Sequence, residues 1–167
     1  MAEKYLGENI KKLGFGLMRL PMIGEEIDME QTKHMVDTFM AKGFTYFDTA
    51  YVYIGGKSEV ALKEAVVDRY PRDSFQCATK LPLWDLKEAS EMEKVFQESL
   101  DRAGLEYYDF YLLHAMDTER ERKADELGAW DFMKKLKAEG RVKHIGFSFH
   151  DTAEALENIL KAHPEME

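Results

Sequence analysis

Four polar residues of different chemistry recur along this chain at nearly even spacing. Asp48, Lys80, His114 and Ser148 are separated by 32, 34 and 34 residues, and each closes a short apolar stretch: FTYFD, FQCATK, YDFYLLH and VKHIGFS. Tyr53 follows Asp48 in DTAYVYIGG, just ahead of a glycine pair. An ordinary phenol titrates near pH 10 and is a poor acid at neutral pH, but an ammonium beside it favours ionisation. Lys80 can therefore make Tyr53 a general acid, with Asp48 holding Lys80 charged and oriented. His114 can polarise a substrate oxygen or relay a proton. The set suits protonation of a carbonyl oxygen while a hydride arrives at carbon. Lys80 alone also fits a Schiff-base nucleophile in an aldolase-type site. No metal is expected, since a site built from Asp48, His114 and His150 would have Lys80 competing for its space.

Singly, each residue has a plainer role as a cap, a solvated strand end or a satisfied imidazole. Tyrosine is also common here, at Tyr51, Tyr107, Tyr108 and Tyr111. Four coincidences at successive strand ends carry the weight. A period in this range means a repeated supersecondary unit, and one strand plus one helix has the right length. Such a repeat collects its strand-end side chains at one end of a parallel sheet, where α/β barrels build their active sites.

The elements follow from hydrophobic spacing and capping signals. LGFGLMRLP (13–21) predicts a first strand leading into a loop. Asp28 is placed to cap a helix, with Gln31 completing a capping box, an apolar face of Met35, Val36, Phe39 and Met40, and Gly43 at its end. A strand over 44–47 and a helix over about 58–69 follow, stopped by Pro71. Met92, Val95, Phe96, Leu100 and Ala103 lie on one face of a helix over 90–103 that Gly104 terminates. Residues 108–113 read as a strand buried on both faces. The run DTERERKAD (117–125) reads as a solvated loop into a helix over 125–139, with Trp130, Met133 and Leu136 inward and Gly140 at its end. A strand over 142–147 and a helix over 152–162 complete five strands and five helices in β-then-α order. That order implies a parallel α/β sheet. Polar residues at four successive strand ends favour a barrel over a doubly wound sheet, which concentrates ligands at one switch point.

The 167 residues form one domain without an internal linker, and make about five of the eight βα units of a barrel of TIM type. The formal charge of −9 argues against nucleic acid as a partner. No apolar run of membrane-spanning length occurs, and the N-terminal stretch has no signal-peptide character, so a cytoplasmic location is expected. The single Cys77, inside an apolar strand, suits a reducing compartment and reads as a buried, inert thiol.

The pieces GFGLMRLP (14–21), FDTAYVY (47–53), ATKLPLW (78–84), YDFYLLHAM (108–116) and GRVKHIGFS (140–148) resemble the aldo-keto reductase family, in its order and over nearly the whole chain. The resemblance implies an eight-stranded α/β barrel that binds NADP(H) without a Rossmann domain and reduces an aldehyde or ketone. Tyr53 would be its acid, with Lys80, Asp48 and His114 as partners. Trp84 would line the substrate pocket with His114. Gly16 and Met18 would approach the cofactor through backbone, Asp48 would also belong to the cofactor site, and Ser148 would hold the nicotinamide carboxamide. Two positions depart from the family pattern: Ile54 stands where Gly usually follows the tyrosine, and Phe149 stands where Asn often follows the serine. MRLP and FSFH resemble a bacterial branch in which some members carry a C-terminal iron–sulfur module, though one cysteine cannot hold a cluster. The resemblance also places the grip on the adenosine 2′-phosphate in strands beyond those counted here. The expectation is then either a fragment or a half-size product, an inactive partial barrel on its own that associates with further copies to cover open edges.

Overall fold

A computed structural model describes residues 10–167; most of the N-terminal stretch judged for signal character lies outside them. Five parallel strands make the central sheet: β1 (Gly14–Gly16), β4 (Tyr46–Asp48), β5 (Gln76–Leu81), β6 (Tyr108–Met116) and β7 (Val142–Phe149), neighbours in that order. The order never doubles back, so crossovers of one hand carry every connecting helix over the same face. That is the arrangement of a barrel wall, not of a doubly wound sheet. A short hairpin, β2 (Met22–Ile23) and β3 (Glu26–Ile27), fills what reads in the sequence as loop.

Helices α1 (Met29–Ala41), α2 (Lys57–Leu62), α3 (Ser90–Ala103), α4 (Thr118–Leu127), α5 (Ala129–Ala138) and α6 (Ala153–Ala162) complete the chain. Asp28 caps α1 by accepting the Gln31 N–H at 2.9 Å. The reciprocal half of the expected capping box is missing, because the Asp28 N–H already donates to the Pro21 carbonyl. Val36 and Phe39 of α1 are buried as expected, whereas Met35 is exposed. The helix expected over 58–69 is α2 followed by one wider π-type turn, Lys63–Val67.

The run 117–125 corrects the sequence reading, since it is mostly helix. Asp117 accepts the Arg120 N–H at 2.8 Å and starts α4, and Gly128, at φ +68°, both ends α4 and opens α5. Its charged residues satisfy one another across single turns, Arg122 with Glu126 and Arg120 with Asp117. A polar helix of that kind shows almost no apolar period to read.

Side chains alternate across each strand, and register decides which share a face. Phe47, Cys77, Tyr111, Leu113 and Ile145 turn outward into one buried cluster with Val36, Leu62, Phe96, Trp130 and Met133 from the helices. Phe47 touches the rings of Phe15, Phe39 and Phe75 at centroid distances of 5.6, 5.3 and 6.3 Å. The other face carries Tyr46, Asp48, Ala78, Lys80, Phe110, Leu112 and His114, with Tyr46 edge-on to Phe110 and Phe110 stacked on His144. Ala78 is level with Asp48, and Lys80 lies two residues further; Leu112 is level with Lys80, and His114 lies two further. Steps of two keep these side chains on one face while each strand climbs past its neighbour, which is the stagger a tilted barrel wall needs.

Two open edges are expected of such a sheet. Among the described residues β1 pairs only with β4. The far edge of β7 is not bare: the Glu167 N–H donates to the Ile145 carbonyl at 2.9 Å, and the Glu167 carboxylate meets His144 Nδ1 at 2.8 Å.

Phe47→Ala empties the position where α1 meets the sheet. We expect it to lower unfolding stability by about 3–5 kcal/mol in urea titration, and a loss below about 1 kcal/mol would remove Phe47 from the core.

Candidate active site

The C-terminal strand ends bring together Asp48, Lys80, His114 and the turn carrying Tyr53. Lys80 is 4% exposed. Its ammonium has three protons and three acceptors: Asp48 Oδ1 at 2.6 Å, the Thr49 carbonyl at 2.8 Å and Tyr53 Oη at 3.2 Å. The same Nζ lies 4.7 Å from the Tyr53 ring centroid. Because Tyr53 Oη accepts from Lys80, its own O–H proton is directed elsewhere. An ammonium engaged with a carboxylate and two further oxygens is a poor amine nucleophile, which argues against the Schiff-base reading of Lys80.

The turn beneath is held by buried polar contacts. Ser58 Oγ meets Thr49 Oγ1 at 2.6 Å and donates to the Leu17 carbonyl at 3.0 Å. The Leu17 N–H donates to the Asp48 carbonyl, and the Thr49 N–H to that of Ala78. Three successive residues after Tyr53 are left-handed: Ile54 (φ +51°), Gly55 (φ +61°) and Gly56 (φ +88°). Glycine tolerates this; a β-branched residue pays about 1–3 kcal/mol in strain.

His114 packs edge-on to Tyr53, with centroids 5.5 Å apart, and 5.2 Å from Trp84. Burial, and then the positive charges of Lys80, His150 and Arg120, push its pKa down from 6.5 to about 4. His114 is therefore neutral at pH 7. Its Nδ1 is buried without a partner among the described residues. Ala115 follows at φ +55°, and its N–H donates to Ser148 Oγ at 2.7 Å, leaving the serine hydroxyl proton free to donate. Gly16 lies level with Asp48 on the strand ladder, and a Cβ built there would meet nothing within 4 Å. Met18 and Trp84 are half exposed around the same end. The candidate catalytic, cofactor and substrate residues read from the sequence thus lie at this end of the sheet. Cys77 is buried, with its thiol pushed up to about 12 mainly by that burial, as an inert structural cysteine should be.

Sequence reasoning missed the buried polar groups behind the Tyr53 turn. Glu59 is fully buried, accepts from Thr79 Oγ1 at 2.6 Å and lies 3.4 Å from Arg102 Nη1. Burial raises its pKa. The only signal was its place in GKSEVAL, six residues past Tyr53, on a short helix that buries Ser58, Ala61 and Leu62 beside it.

The Aldo/keto reductase family model matches residues 12–167. This chain belongs to the aldo/keto reductase family. Among curated relatives, a probable aldo-keto reductase of Glycine max is 35% identical over 153 residues, covering 85% of this chain and 42% of that protein. An uncharacterised oxidoreductase of Schizosaccharomyces pombe is 33% identical over 174 residues, covering 93% and 50%. The chain thus spans about half the length of the curated relatives it matches. Among solved structures, an aldo-keto reductase from Klebsiella pneumoniae in complex with NADPH superimposes with a TM-score of 0.71 at 27% identity, covering 91% of this chain and 50% of that one. Against the family pattern Ile54 is informative: it adopts the left-handed conformation that a glycine would take without strain.

The pKa of His114 gives a signed prediction. Its folded value near 4 lies below the ordinary 6.5, so the unfolded chain binds the proton more readily. Its contribution to stability is complete above about pH 6.5 and is lost as pH falls toward 4. In urea titrations, His114→Phe should lose less stability than wild type between pH 6.5 and 4.5; an equal loss in both would put His114 in a solvated environment.

Proposed function

We propose that this chain carries the proton-donating half of an NADPH-dependent carbonyl reductase site. The observation that supports it best is the Lys80 ammonium, whose three protons are all accounted for, one of them on Tyr53 Oη. Tyr53 then presents its own proton to the open side, beside His114 and Trp84. Asp48 holds the Lys80 ammonium in place, and the fixed ammonium stabilises the phenolate as the proton leaves. Neutral His114 polarises the same substrate oxygen, and Trp84 offers a flat apolar wall.

The residues fit a nicotinamide cofactor. Open space over Gly16 allows a close approach to backbone, and Ser148 has a free hydroxyl proton for a carboxamide oxygen. NADPH, when bound, supplies the hydride. The Klebsiella pneumoniae neighbour was crystallised with NADPH, which supports the same class of cofactor here. The substrate is a small aldehyde or ketone. Among the described residues no helix is long and apolar enough to cross a membrane.

A second reading concerns the chain by itself. Among the described residues β1 has an unpaired edge beside exposed Leu13 and Met35, and such edges recruit further strands. We propose that the isolated 167-residue chain self-associates; a well-folded monomer by light scattering at micromolar concentration would contradict this.

In a polypeptide that turns over, Tyr53→Phe should lower kcat by about 10²–10⁴-fold, leaving NADPH binding little changed. Near-wild-type turnover would overturn the assignment of Tyr53. The 167-residue chain alone should reduce aldehydes poorly, since misplacing a reacting atom by about 1 Å costs about 10²-fold. Fluorescence titration with NADPH and an aldehyde assay check this; micromolar binding with turnover would mean these five strands suffice.

A further inference from the structure

One guanidinium on α3, outside the set of Tyr53, Lys80, Asp48 and His114, touches the Tyr53 turn from both sides. Arg102 Nη1 donates to the Tyr51 carbonyl at 3.2 Å, and its Cζ lies 4.3 Å from the Tyr51 ring centroid. On the other flank a Cβ built on Gly56 would sit 2.9 Å from Arg102 Nη1 and 3.0 Å from Cζ, so the guanidinium lies flat against that glycine. Between Tyr51 and Gly56 are Tyr53 and the left-handed Ile54 and Gly55. The guanidinium is itself anchored: Nη2 donates to Glu98 at 2.5 Å, Glu98 accepts from Tyr51 Oη at 2.8 Å, and Nη1 lies 3.4 Å from buried Glu59.

We propose that Arg102 is the positioning residue for Tyr53: its guanidinium clamps Tyr51 and Gly56 and holds the turn between them in its left-handed form, which keeps Tyr53 Oη on Lys80. This rests on the reading of Tyr53 as the acid. A strained turn needs an external restraint, because its local sequence does not prefer that conformation. A guanidinium suits the task through its planar fork, which spans a carbonyl, two carboxylates and a ring face together. Gly56 is then required for a second reason besides its positive φ, since any side chain would displace the clamp. Lysine cannot replace arginine here. An ammonium can pair with Glu59 or Glu98, but has neither the reach across the turn nor a flat face for Gly56.

Removing Arg102 alone would leave Glu59 as a buried, unpaired carboxylate and risk unfolding. The test therefore compares wild type with the double variant Arg102→Met/Glu59→Gln, which keeps an acceptor for Thr79, and with Arg102→Lys. Two readouts need no turnover: amide hydrogen exchange over residues 51–57 against β6, and the ring Cζ resonance of Tyr53, assigned by its loss in Tyr53→Phe. In the double variant, exchange over 51–57 should accelerate about tenfold or more while β6 is unchanged, and the Tyr53 resonance should move. Arg102→Lys should recover the melting temperature but not the slow exchange. Unchanged exchange over 51–57, equal acceleration in β6, or full recovery by lysine would overturn the proposal. Should Tyr53→Phe retain turnover, the acid assignment alone fails, and the exchange data still decide whether Arg102 holds the turn.

Discussion

A buried ammonium is the constraint on which the rest of this structure depends. Charge leaves water at a cost of several kcal/mol and is tolerated only with its hydrogen bonds filled and an opposite charge at hand. Lys80 has its three acceptors from three places: a side chain on β4, the backbone one residue later, and the hydroxyl of a turn residue. Each acceptor makes a demand elsewhere. Asp48 must stand two residues below Lys80 on the adjacent strand, which the parallel register provides. The Thr49 carbonyl must point inward, and Ser58 fixes the Thr49 side chain to the end of β1. Tyr53 must fold back over the strand ends, through three left-handed residues, one of them the strained Ile54.

The two ends of the sheet show how differently similar charges are used. At the N-terminal end, the buried Asp109 carboxylate accepts from Arg72 at 2.6 Å, Lys143 at 2.9 Å and the Cys77 N–H at 3.0 Å. The Asp109 carboxylate is thereby filled by donors within the protein, and Arg72 also covers the Tyr107 ring, although its Nε has no partner among the described residues. At the C-terminal end, Tyr53 has a spare proton, His114 an unpartnered nitrogen and Ser148 a free hydroxyl proton. In α/β barrels the C-terminal end is where active sites are built, whereas the opposite end serves stability.

Much of this could be read from residues alone, for identifiable reasons. Strand ends marked by Asp48, Lys80, His114 and Ser148 recur with the βα unit, so their period reported both the fold class and the face they share. α3 was read to the residue because its apolar stripe and Gly104 agree. The two turns of α4 escaped because its charges pair along the helix and leave no apolar period. Glu59 and Arg102 escaped for another reason: 43 residues separate them, and nothing local marks a carboxylate as buried or a guanidinium as a clamp. The left-handed geometry of Ile54 was equally hidden, although its departure from the family's usual glycine marked the position.

The central claim is that Lys80 donates to Tyr53 and so frees the phenolic proton for a substrate. Neutron diffraction from deuterated crystals of the chain near pH 7 would test it most directly. The account predicts three deuterons on Lys80 Nζ, directed at Asp48, the Thr49 carbonyl and Tyr53 Oη, with the deuteron of Tyr53 pointing away from Lys80 toward the open end of the sheet. A Tyr53 deuteron directed at a neutral Lys80 amine, or one residing on the Asp48 carboxyl, would contradict it.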